Sequence, residues 1–184
     1  MNLSVTPRTM IDAYGLENLV FFPRYAESEP HAAALLSLVG LPNSTVFLSR
    51  TDPADPYDPG FDPVAVGSNF DFYGWGTCPE ESRSWWMLGT LFETVIALDP
   101  ATGRVYEFPD GESDYRLLHR DLESFLFTLI EFRRLETDHD AETLDPEALV
   151  ERFTRVVGAF DPTPFAEEES QWNTTMRELI DEIW

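Results

Sequence analysis

Between residues 85 and 136 the chain reads WWMLGTLFETVIALDPATGRVYEFPDGESDYRLLHRDLESFLFTLIEFRRLE, and no other stretch limits the fold so tightly. Residues 86–91 and 94–98 are short runs rich in apolar and β-branched side chains, the composition of strands. Asp99-Pro100-Ala101-Thr102-Gly103 carries Pro early and Gly late, so it is a tight turn that folds residues 105–108 back as an antiparallel partner. That five-residue connection sets the register and places Val105 and its alternates on one side of the sheet. Asp110-Gly111 turns the chain again, and residues 115–119 lead into a helix. Asp121 is placed as its N-cap, and Leu122, Phe125, Leu126, Leu129 and Ile130 recur at three- and four-residue steps that define one stripe. Burying five such side chains supplies roughly 7–15 kcal/mol of gross transfer energy, so this helix is obligatory and belongs on the sheet.

The flanks are placed around that centre. Residues 9–17 form a short helix capped by Thr9, and Leu19-Val20-Phe21-Phe22 is a strand stopped by Pro23. Ser28, with Glu29 and Pro30 behind it, opens a helix to Val39 that Gly40 ends, and Thr45-Val46-Phe47-Leu48 follows as a strand. Four Asp-Pro steps between Thr51 and Pro63 make a stiff loop, since each Pro removes a donor and holds the preceding Asp extended. The spacing of those Asp residues does not match a helix-loop-helix calcium site. The aromatic run Phe70–Gly76 is either a strand ending in a bend or an exposed contact cluster, with core packing the favoured role. Residues 136–140 are an acidic link. Asp145-Pro146-Glu147 then caps a helix to about Val157, closed by Gly158. A last helix from about Ala166 to Trp184 places Glu167, Glu168 and Glu169 in its first turn and Trp172, Met176, Leu179, Ile180 and Ile183 on one docked stripe.

With 184 residues, 43% hydrophobic and 14% aromatic, the chain has material for one domain spanning 1–184 with a packed interior. Its charge is −22, and all twelve basic residues are Arg. Residues 93–184 hold 23 acids against eight Arg, a net −15, so the acidity concentrates towards the C-terminus. Such a field repels phosphate and anionic lipid, which excludes nucleic acid and membrane surfaces as partners, and it speeds encounter with a basic protein. The same charge also serves as a plain solubilising surface. Cys78 stands alone, so the chain forms no internal disulfide, and a reducing cytoplasm is the expected setting. No stretch approaches the length of a membrane span and no export signal opens the chain, which leaves the sequons at Asn43 and Asn173 without meaning.

No motif spells out a reaction. A hydrolase would have to be built from Cys78, His31, His119 and His139, and none stands in a diagnostic context. There is no nucleophile elbow, phosphate loop or zinc motif, and Asp138-His139-Asp140 reads as a solvated helix end before it reads as a ligand set. No cofactor, metal or catalytic residue is assigned.

Gly40-Leu41-Pro42, then Leu88-Gly89, Val95-Ile96-Ala97-Leu98-Asp99-Pro100, Thr102-Gly103-Arg104-Val105, and Leu117-Leu118-His119-Arg120-Asp121-Leu122-Glu123-Ser124-Phe125-Leu126 occur in an order that resembles the SUKH superfamily, and most closely its fourth group of bacterial immunity proteins. The resemblance covers residues 28–135 as a recognisable core, with residues 145–184 as C-terminal helices. His119-Arg120-Asp121 stands where the family often has Asn and Ser, although Asp121 still serves as a cap.

The resemblance implies an α+β fold with a mixed, mainly antiparallel sheet packed by helices. It also implies a non-enzymatic role: binding and neutralising a cognate toxin, with a basic nuclease or deaminase as the expected kind. A regulatory or scaffold module of the same superfamily is the alternative, and an enzyme the third. Recognition is expected on loops held by the scaffold, which points to Asp55, Asp58, Asp62, Tyr73 and Trp75 as partner-binding residues.

Overall fold

The computed structural model describes residues 4–24, 28–49, 64–73, 76–92, 94–109, 112, 114–181 and 183. The fold is α+β. Five strands form one antiparallel meander in the order β3 (Phe47–Ser49), β4 (Trp86–Leu91), β5 (Thr94–Leu98), β6 (Val105–Phe108) and β7 (Arg116–His119). A separate antiparallel pair joins β1 (Leu19–Val20) to β2 (Leu41–Pro42). The hairpin expected across residues 99–103 is present, with Leu98 opposite Val105.

Both faces of the large sheet are covered. Phe47, Leu91, Ile96, Leu98 and Val105 enter the main core, while Val95, Ala97 and Phe108 enter a smaller one with Val66, Phe70, Cys78 and Trp85. The central strand β5 is therefore buried at every position, which explains why it reads as an unbroken apolar run and not an alternating one. The helix α4 (Leu122–Asp140) lies on the main-core side, where all five residues of the expected stripe are buried, and Asp121 caps it by accepting from the Ser124 N–H at 2.8 Å. Three helices flank α4: α1 (Pro7–Tyr14), α2 (Pro30–Leu38) and α5 (Pro146–Phe160).

Several boundaries differ from the expected ones, each for a local reason. Helix α1 starts at Pro7 because Thr6 and Thr9 form a reciprocal capping box, and it ends at Gly15, whose φ of 79° favours glycine. Glu29, not Ser28, caps α2, its carboxylate accepting from the His31 and Ala32 N–H groups. Of Leu19–Phe22 only the first two residues pair. Strand β3 begins two residues later than expected because the Ser44 hydroxyl accepts from the Val46 and Phe47 N–H groups and holds the chain in a turn.

The aromatic run is a helix, not a strand: α3 (Val66–Tyr73) crosses the second face and sets Phe70 edge-on to Phe108 at 5.5 Å. Residues 136–140 are the last turn of α4 and not a link; Asp138 pairs there with Arg152 of α5 at 2.6 Å. Helix α5 continues through Gly158 to Phe160, which stacks on Phe127 at 4.3 Å. The final helix, α6 (Gln171–Ile180), starts later than expected because residues 163–165 take a tighter turn and Ser170 provides the cap. Glu167–Glu169 thus precede it. Trp172, Met176 and Leu179 are buried as expected, whereas Ile180 and Ile183 are 39% and 73% exposed and leave the stripe.

Candidate functional site

Of the partner-binding residues expected from sequence, Asp55, Asp58, Asp62 and Trp75 lie outside the described residues. Tyr73 closes α3, and its side chain is likewise outside them. Beside that segment, Asp71 of α3 pairs with Arg83 at 2.5 Å on the surface. Cys78 is buried in the small core, its sulfur 3.6 Å from the Ser82 hydroxyl.

The richest chemical cluster is one that sequence reasoning did not assemble. His119 at the end of β7, Ser124 in the first turn of α4, Asp161 after α5 and Trp172 of α6 meet in the interior, each at most 1% exposed. The Trp172 indole is a donor only and gives its N–H to His119 Nε2 at 3.0 Å, so the imidazole proton sits on Nδ1 and is donated to Ser124 Oγ at 2.9 Å. Ser124 in turn donates to Asp161 Oδ2 at 2.5 Å. Burial drives the His119 pKa down and keeps the ring neutral. Burial alone would raise Asp161, but hydrogen bonds from Ser124, Thr163 and the Arg120 backbone outweigh it and hold the carboxyl below its ordinary value.

These are the residue types of a hydrolase triad wired in the wrong order. A nucleophilic serine gives its proton to histidine, and the carboxylate holds the far side of the ring. Here the hydroxyl lies between His119 and Asp161, its proton committed to the carboxylate, with no route to solvent. The cluster is a brace joining β7, α4, α5 and α6. Its Ser124–Asp161 and His119–Trp172 bonds span 37 and 53 positions, and a lone histidine ending an apolar strand was the only signal for it.

A second buried carboxylate lies one strand away. Glu107, on the same face as Val105, is 1% exposed; its Oε2 accepts from the Gln171 N–H that opens α6 at 3.0 Å, while Oε1 has no hydrogen-bond partner among the described residues and lies 3.9 Å from Arg116. Burial raises its pKa to about 7 against the opposing pull of the Gln171 N–H and Arg116.

The surface carries two kinds of feature. Acids crowd the α4–α5 turn, where Asp140, Glu142, Asp145, Glu147 and Glu151 are all exposed, and the approach to α6, where Glu167, Glu168 and Glu169 are exposed. Depressions also indent the surface that the described residues form. One of about 490 Å³ between α1, α4 and α5 is lined by Arg133, Arg134 and Arg152 with Asp12, Glu131 and Asp138. A second of about 630 Å³, where the end of the large sheet meets α6, is lined by Thr45, Leu48, Thr90, Phe92, Thr174 and Glu178. A third of about 260 Å³ lies against Tyr14, Asn18, Asn43, Ser44, Thr45 and Arg133. Among the described residues, no three His, Cys, Asp or Glu side chains gather as metal ligands, and no helix is long and apolar enough to cross a membrane.

Searches of curated proteins and of solved structures return no match. A family model does match: that of the SUKH-4 immunity protein, over residues 5–178. The matched span runs from the residue after the first described one into α6, so it takes in both sheets, the brace, α1 to α5 and most of α6. An immunity-protein role is what that family supports, and the chain belongs to the SUKH-4 immunity protein family.

Proposed function

We propose that the chain binds a cognate toxin and neutralises it by occlusion, with no chemistry of its own. The family match over residues 5–178 carries this reading. The toxin is a protein with a basic substrate cleft, of the nuclease or deaminase kind, and the chain covers that cleft by presenting carboxylates where phosphates would lie. The net charge of −22 and the exposed acids at the α4–α5 turn and before α6 support it. Asp55, Asp58, Asp62, Tyr73 and Trp75 are proposed as contacts, because the stretch between β3 and the end of α3 is rich in carboxylates and aromatic rings. Residues 1–184 act as one binding unit in the cytoplasm, without cofactor, nucleic acid or membrane.

The test is titration of the toxin encoded by the neighbouring reading frame against this chain in rising salt. The association rate should fall by about tenfold or more between roughly 0.05 and 0.5 M NaCl, because steering between exposed charges is screened. Tight binding with a salt-insensitive rate would remove the electrostatic part of the reading. Absence of binding together with co-purification of a cellular protein would favour the regulatory role of the wider superfamily.

A further inference from the structure

Glu107 of β6 and Arg116 of β7 stand opposite one another in the ladder, an acid and a base placed where a cross-strand ion pair would form. They do not close one. Arg116 Nη1 lies 3.9 Å from Glu107 Oε1, a buried oxygen with no hydrogen-bond partner among the described residues. The guanidinium is turned outward instead: Nη2 donates to the two carboxylate oxygens of the exposed Glu112 at 2.6 and 2.7 Å, and Nη1 donates to the Glu169 carbonyl at 3.1 Å. Arg116 thereby ties the turn after β6 to the segment before α6. The other elements packed here supply Oε1 with no counter-ion. Strand β5 has no ionisable side chain, and His119, further along β7, is held neutral between Trp172 and Ser124. Asp161 is engaged by Ser124 and the Arg120 N–H. The opening N–H of α6 already rests on Oε2, Arg177 of α6 faces the Glu169 carboxylate at 3.6 Å, and Glu178 lines the depression at the end of the sheet. Glu112 is the acid that opposes ionisation of Glu107.

We propose that Arg116 is a two-position latch set by the ionisation of Glu107. With Glu107 neutral, the guanidinium holds Glu112 and the Glu169 carbonyl, as the structure shows. When Glu107 gives its proton to solvent, a buried anion with one bare oxygen faces a cation 3.9 Å away, and closing that gap makes a charge-assisted hydrogen bond. The guanidinium is a rigid planar fork. Its present partners belong to exposed residues and Glu107 is buried, so a move inward of about 1 Å draws it away from Glu112 and Glu169. The new interior charge is thus neutralised from within, and Glu112 is left on the surface without its counter-ion. Burial sets the Glu107 titration at about 7, so the latch turns over at neutral pH and not in acid. Rising pH then bares one more carboxylate on this edge although no surface acid has titrated.

The experiment is an NMR titration of the full chain, labelled with carbon-13 and nitrogen-15, between about pH 5 and 9. The Glu107 Cδ signal is expected to titrate at about 7, with Arg116 Nε and the Glu169 carbonyl carbon shifting at the same midpoint and Glu112 Cδ showing a second, smaller inflection there. In Glu107→Gln those three accompanying signals stay flat across the range. Glu112→Gln changes an exposed side chain and gives an arm that does not depend on the fold tolerating a change at Glu107. Without its outer partner Arg116 turns inward at lower pH, and the Glu107 midpoint falls by about one pH unit or more. An Arg116 Nε signal that does not move at the Glu107 midpoint overturns the latch, because Glu107 then ionises without Arg116. A Glu107 midpoint below about 5.5, among those of exposed glutamates, overturns it as well. So does a midpoint that Glu112→Gln shifts by less than about 0.3.

Discussion

At the scale of single residues, Gly89 has the least freedom. Its φ is 154°, it sits at the bulge where β4 loses register against β5, and a Cβ placed on it would come within 2.1 Å of the Leu48 carbonyl oxygen in β3. Neither backbone can yield without breaking the β3–β4 ladder. Gly89→Ala is therefore expected to cost roughly 2–4 kcal/mol in urea unfolding; a loss below about 0.5 kcal/mol would show that the bulge relaxes freely. The interior brace gives a second residue-scale prediction. Ser124→Ala removes the link between His119 and Asp161 and leaves both buried groups short of a partner, for a loss of about 1–3 kcal/mol. Toxin affinity should not change once the variant is folded, because the network is sealed. An effect on affinity with unchanged stability would mean that the cluster does more than brace the fold.

Elements bring these residues into register, and α6 is held by an unusual contact. Its opening N–H rests on Glu107, whose raised pKa of about 7 means that the folded state prefers the protonated carboxyl. In the unfolded chain the group titrates near its ordinary value, about 4.5. The folded state thus gains most below that value, and stability falls as pH climbs from about 4.5 through about 7, by a few kcal/mol. Glu107→Gln should flatten this part of the pH profile in chemical unfolding; an unchanged slope would place the proton elsewhere. The position of Glu107 was implicit in the sequence, since alternation from Val105 sets it facing inward, yet a charged residue there gives no hint of its partner 64 positions away. Local chemistry was legible at the caps Asp121 and Asp145, in the stripe of α4 and in the turn at residues 99–103, but not at the starts of α1 and α2, where Thr6 and Glu29 cap in place of Thr9 and Ser28. It also failed where tertiary packing decides. Phe70 is on a helix because the second sheet face needs a cover, and the β4–β5 hairpin turns through Phe92 at a φ of 50°, a conformation its ring holds by packing edge-on to Phe132 at 5.7 Å. The depression beside Tyr14 was not legible at all, because Arg133 and Thr45 are brought to it by the whole topology.

For the molecule as a whole, the governing quantity is a charge of −22 on a body whose arginines are spent largely in pairs with neighbouring acids. The surface pairs at Arg8–Asp12 and Arg155–Glu151, both above two-thirds exposed, contribute little, since exposed pairs are screened and entropically costly. Crowded carboxylates at the α4–α5 turn and before α6 repel one another at distances that a Debye length of about 10 Å at 0.1 M salt only partly screens. Folding brings these acids closer than the extended chain does, so repulsion opposes the native state more than the unfolded one. Added salt should then raise the melting temperature, by several degrees between roughly 0.02 and 0.5 M NaCl, in the same range over which it should slow the proposed encounter with a basic toxin. On the function proposed above, the two opposite responses come from one field: what costs the free protein stability is what draws a basic toxin in, and binding its cationic surface relieves the repulsion. A melting temperature that falls over that range would show that the ion pairs outweigh the repulsion, and the toxin would then have to be recognised chiefly by shape.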